Sequence, residues 1–132
     1  MKRWIVLAAL AGLLSHGAAA AADAGVASDG EFPPKESPEA MVYRGNIVYS
    51  NYCVLCHGVK ADGMGRAAKI YNPKPSNLAM SDKNAQYKEL IIRQGGAALA
   101  RSKFMPPWND ELTNEQVSDV VGFLESLKAT AR

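Results

Sequence analysis

The sequence predicts an all-α domain, three to five short helices joined by unusually long loops. Three observations lead there. No segment alternates apolar and polar residues convincingly over the length of a strand. Apolar residues instead recur at helical spacing near both ends of the domain. The stretches between are rich in Gly and Pro, and long loops in so small a domain usually wrap something or carry function.

The first element is a targeting segment. Met1, Lys2 and Arg3 precede the apolar run Trp4 to Leu14 and the small-residue tract Ala18 to Ala22, which is the order of a secretory signal. The run is about eleven residues long, short of the ~20 that cross a bilayer. Cleavage after Ala20 or Ala22 and a periplasmic location are therefore expected, and an uncleaved membrane anchor is the alternative. Residues 1–22 read as the signal, 23–38 as a flexible leader of Gly, Pro, Ser and acidic residues, and 39–132 as the domain. Loss of His16 with the signal leaves His57 as the mature histidine.

The first helix is expected from Glu39 to Tyr52, with Val42, Gly45, Val48, Tyr49 and Tyr52 on one face. Gly45 costs up to ~1 kcal/mol of helix propensity, which a close approach by another backbone would explain. Loop follows from Gly58 to Met80, with a short helix around Arg66 to Tyr71 that Asn72-Pro73 would stop. Ser81 or Asp82 would cap a third helix with Tyr87, Leu90 and Ile91 facing inward, ended by Gly95-Gly96. The last helix is the best defined. Thr113-x-x-Gln116 is a capping box, and Val117, Val120, Val121, Leu124 and Leu127 make the apolar stripe.

Both cysteines of the chain lie in Cys53-Val54-Leu55-Cys56-His57. A Cys-x-x-Cys loop is too small to restrict the unfolded chain much, so a stabilising disulfide does not account for it. A thioredoxin-like pair would want a βαβ context, and a zinc site would want two further ligands. Cys-x-x-Cys-His is the attachment signature of a c-type haem. Each thiol can add across one vinyl group, and the adjacent imidazole can ligate the iron.

From about Met41 to Leu127 the chain resembles the class I c-type cytochromes, small single-haem electron carriers. The resemblance rests on Gly45 and Tyr49, on the motif with Gly58, on Lys103-Phe104-Met105-Pro106-Pro107-Trp108, and on the closing Val120 to Leu127. It implies the cytochrome c fold, its loops wrapped around one covalent haem c, with the first and last helices crossing at nearly right angles. Gly45 and Tyr49 would meet Val120, Phe123 and Leu124 there, and Gly122 would ease the crossing. Covalent haem would be held by Cys53 and Cys56, with His57 and Met105 as axial iron ligands. Met80 is the rival to Met105, while Met64 follows His57 too closely. A proline carbonyl, from Pro73 or preferably Pro75, would orient His57. Arg93, Arg101, Lys103 and Trp108 are candidate donors to the haem propionates.

Histidine–methionine ligation leaves no open coordination position, so an electron carrier rather than an enzyme is expected. The alternatives are a haem-bearing subunit of a larger dehydrogenase or reductase complex and a peroxidase-like haem enzyme. Without Lys2 and Arg3 the chain holds 13 basic and 13 acidic residues, and no nucleic-acid partner is expected. Cys53 to Trp108 nevertheless carries nine basic residues against three acidic ones. Redox protein partners with acidic docking surfaces would be steered to such a stretch. Membrane contact is expected only through an uncleaved signal or through membrane-bound redox complexes.

Overall fold

The computed structural model describes residues 33–130, with side chains to 128. The signal (1–22) and the leader as far as residue 32 lie outside the described residues. Four α-helices and a 3-10 turn make up the regular structure, and no strand occurs among the described residues.

Helix α1 spans Pro38–Tyr52. Ser37 caps it, its hydroxyl accepting from the Ala40 N–H at 3.1 Å, and Pro38 occupies the first turn, where a missing N–H costs nothing. Residues 33–37, read as leader from sequence, form the turn that leads into it. Helix α2, Val54–His57, continues almost directly from α1, so the Cys-x-x-Cys-His segment is itself helical. The expected short helix is a single 3-10 turn, Ala68–Ile70.

Helix α3 spans Ala85–Ala98 with a break at Gly95. Its cap is Asn84, whose side-chain oxygen accepts from the Tyr87 N–H at 2.9 Å, rather than Ser81 or Asp82. Ser81 instead accepts from the Lys83 N–H within the preceding loop. The inward face matches the expectation in part: Tyr87 and Ile91 are half-buried, but Leu90 is exposed, and Lys88 and Ile92 are the buried residues. The buried stripe runs through positions 88, 92 and 95, and Glu125 opposite gives the Lys88 ammonium a partner. Helix α4, Asn114–Thr130, starts at the expected capping box: Thr113 accepts from the Gln116 N–H at 3.2 Å, and Gln116 accepts from the Thr113 N–H at 2.9 Å.

The core forms where α1 meets α4. Val48 and Tyr49 pack with Val117, Val120, Val121 and Leu124, and Ile92 joins from α3. Each such side chain contributes about 1.5–3 kcal/mol at most. A side-chain carbon at Gly45 would sit 2.6 Å from the Asp119 carbonyl carbon and 2.8 Å from Phe123 Cβ. The helices thus touch backbone to backbone, and Gly45 meets Asp119 together with the expected Phe123. Beside this contact Arg44 grips the buried Asp119 with two hydrogen bonds, at 2.7 and 2.9 Å, and gives a third to the Lys35 carbonyl.

Candidate functional site

The loop after His57 folds back onto the motif. Carbonyls at the end of so short a helix lack helical partners, and here Ala67, Gly65 and Gly63 donate their N–H groups to Leu55, Cys56 and His57, at 3.0, 3.1 and 2.8 Å. The Tyr49 hydroxyl donates to the Gly58 carbonyl from the α1 side. Every carbonyl from Leu55 to Gly58 apart from its helical bonds is thereby engaged, and the motif is fixed as a rigid floor.

That floor opens on a cavity of about 630 Å³. Cys53, Cys56 and His57 line it from one end of the sequence, and Met105 and Trp108 line it from the other. Ile91, Ile92, Val120 and Leu124 supply apolar wall. Both cysteines are free. Burial, reinforced by Cys56 nearby, pushes the Cys53 thiol up to about 12, the opposite of the lowered value that a redox-active thiol pair requires.

His57 Nδ1 lies 3.0 Å from the Ser76 carbonyl. A carbonyl only accepts, so Nδ1 carries the proton and Nε2 keeps its lone pair. Burial holds the imidazole below its ordinary pKa, the Ser76 bond opposing in part, which keeps the ring neutral. The orienting carbonyl is therefore that of Ser76, not of Pro75 or Pro73. Both prolines line the cavity, but the Pro75 carbonyl faces Gly63 across the loop.

The Met105 loop is seated on the break in α3. Gly96 donates its N–H to the Met105 carbonyl at 2.8 Å, and Trp108 donates to the Ile92 carbonyl at 2.9 Å. Gly95 has φ of +76°, and a side-chain carbon there would come within 2.9 Å of the Met105 carbonyl oxygen; one on Gly96 would lie 3.1 Å from Met105 Cβ. The glycine pair therefore does more than end a helix. It lets the loop close against α3 with Met105 half-buried. Met80 also borders the cavity but is 75% exposed, and Met64 is exposed and outside it.

The propionate candidates separate. Trp108 lines the cavity with its ring edge-on to Tyr52, centroids 5.4 Å apart. Arg101 lines it too, its Nε 3.2 Å from the Tyr87 hydroxyl. Arg93 does not. Its guanidinium is turned outward to Glu89, one helical turn back, and to Asn114 at the start of α4. Lys103 also stays outside, over the Phe104 ring. Sequence reasoning missed Tyr52, Ser76, Tyr87 and Lys88 as cavity residues. Tyr52 and Tyr87 carried a signal, their places on the inward faces of the first and third helices.

Residues 40–124 match the family model described as cytochrome c oxidase, cbb3-type, subunit III. The chain is also similar to a chain of the Kuenenia stuttgartiensis reducing HAO-like protein complex Kustc0457/Kustc0458, at 31% identity with a TM-score of 0.55; the match covers 74% of this chain and 45% of that one. No curated protein matches. Matched over more than half its length, the chain belongs to the cbb3-type subunit III family and is a class I c-type cytochrome.

Proposed function

We propose that this cytochrome carries one haem c, joined by thioethers to Cys53 and Cys56 and ligated by His57 and Met105, and that it passes single electrons between redox proteins after export to the periplasm. The observation that carries the reading is that both thiols, the oriented imidazole and Met105 line one cavity. The residues fit the group. A volume of about 630 Å³ lies within the ~300–1,000 Å³ of sites that enclose a sizeable ligand, its wall combines apolar side chains with Trp108 and Arg101, and neither cysteine is consumed in a disulfide.

Bound haem supplies a one-electron iron couple. The chain's residues do the rest. Ser76 fixes the His57 ring with Nε2 free to ligate, and the Gly95-Gly96 seat presents Met105. Ligation of the iron by both His57 and Met105 would leave no place on it for a substrate, which favours a carrier over a peroxidase-like enzyme. The test is the mass of acid-denatured protein. Wild type should retain haem, Cys53→Ala or Cys56→Ala should keep at most one thioether, and the double variant none. A wild-type mass equal to the bare chain overturns the reading. Amino-terminal sequencing of the native protein tests export, with a start at Ala21 or Asp23 expected and an intact Met1 pointing to an anchor.

A second reading, a subunit held in a larger complex, draws on the similarity to a chain of a multiprotein assembly. Size exclusion of the native protein separates them: a free carrier elutes alone. Acidic docking surfaces on the partners are supported by Lys60, Arg66, Lys69, Lys74 and Lys103, none of which has an ion-pair partner among the described residues. Lys83, Lys88 and Arg93 are paired with Asp82, Glu125 and Glu89, so the basic surface is narrower than the sequence count.

A further inference from the structure

Lys88 is only 4% exposed and lines the cavity with Cys56, His57 and Met105. Its Nζ donates to Glu125 Oε1 at 2.7 Å across the α3–α4 contact. Glu125 lies also 3.7 Å from Lys128 Nζ, which donates to the Lys83 carbonyl. Two ammonium groups therefore share one carboxylate, and the cluster carries a net positive charge. The arrangement is graded. Lys88 is the most buried of the three, and Glu125, at 38% side-chain exposure, lies outside the cavity lining.

Packing alone does not call for such a pair. Removing an ammonium from water costs several kcal/mol, and an apolar side chain of similar volume often serves stability as well or better. Ile92 and Leu124 already give the contact apolar neighbours. Nor does the ligand set use Lys88.

We propose that Lys88, anchored by Glu125, is a fixed cation in the cavity wall that raises the reduction potential of the bound haem. The proposal rests on the haem reading above. Reduction adds one electron to the iron centre, supplied in a titration by a mediator dye, and a nearby positive charge favours the more negative product. In the poorly polarisable wall this attraction is screened far less than at an exposed lysine. The anchor matters because a free lysine would swing its charge into water. Lys88 is thus a positioning charge and not a ligand.

Mediated redox titration of haem-loaded variants tests it. Lys88→Met should shift the reduction equilibrium toward Fe(III) by about tenfold, ~59 mV for a one-electron couple, while Lys88→Arg should stay near wild type. Glu125→Gln, which keeps a side-chain oxygen to accept from Lys88 Nζ but removes the counter-charge, should raise the potential, and it serves if Lys88→Met does not fold. A Lys88→Met potential equal to wild type, with only the unfolding midpoint lowered, makes Lys88 a structural pin and overturns the proposal. So does a Lys88→Arg potential as low as that of Lys88→Met, or an unchanged or lowered potential in Glu125→Gln. A wild-type chain without covalent haem fails the haem reading instead, and its mass reveals that before any titration.

Discussion

The hydroxyl of Tyr49 donates to the carbonyl of Gly58 at 2.6 Å within the core, so α1 holds the residue that directly follows His57. Burial raises the phenol above its ordinary pKa, which keeps it a donor. Tyr49→Phe preserves the ring beside Phe123, 5.3 Å between centroids, but leaves the Gly58 carbonyl with the Ala61 N–H, at 3.0 Å, as its remaining donor. The expected loss is ~0.5–1.5 kcal/mol, read as a thermal midpoint lowered by a few degrees.

The two glycines at the helix crossing should respond oppositely. Gly45→Ala drives a methyl into the Asp119 backbone and should cost ~1–3 kcal/mol or more. Gly122→Ala meets only the tip of Met41, which can swing aside, and gains up to ~1 kcal/mol of helix propensity. Thermal unfolding of both variants checks this, with a substantial fall for the first and no fall for the second.

Met105→Ala should remove the sixth iron ligand, make the iron high-spin or water-ligated and lower the potential. Met80→Ala and Met64→Ala should do neither. Gly96→Ala should reproduce part of the Met105→Ala spectrum while Met105 remains in the chain, because its methyl presses on Met105 Cβ and on the Ser102 carbonyl. Absorption spectra of the ferric variants decide both points.

What the sequence disclosed was largely local or pairwise through apolar contact. The Thr113–Gln116 box, the stripe on α4, the tight contact at Gly45 and the place of Met105 beside the motif's cavity each follow from spacing, turn chemistry or the family pattern. The remainder depended on partners far along the chain. Lys88 reads as one more solvated lysine until Glu125 is set beside it, and Arg93 reads as a propionate donor until Glu89 and Asn114 claim it. That Ser76 and not Pro75 turns its carbonyl to His57 is a matter of peptide orientation within a loop, and residue identity does not encode it.

Acid should act partly through Glu125. The Lys88 hydrogen bond, above all, holds this carboxyl below the usual glutamate range, so its folded pKa lies under the unfolded value of about 4.3. Stability contributed by the pair is present above that pH and is lost as pH falls through the folded value. The stability difference between wild type and Glu125→Gln, measured by denaturant titration, should therefore shrink as the medium is acidified below about pH 4.3.

Association with an acidic redox partner should slow as salt rises, since the Debye length is ~10 Å at 0.1 M. Lys103→Glu, beside the cavity-lining Phe104, should slow it more than Lys35→Glu, which sits by Glu115 at the start of α4. Stopped-flow electron-transfer rates at several ionic strengths test this, and rates indifferent to salt would point to apolar docking.

The clasp between Arg44 and Asp119 joins residues 75 positions apart, and this separation imposes an order on events during synthesis. A chain delivered amino end first presents its attachment motif well before the helix that must close over α1 has emerged. Once Asn114–Thr130 docks, its Val120 and Leu124 supply the last of the apolar wall of the cavity that Cys53 lines, so the contact that completes the domain also completes the site.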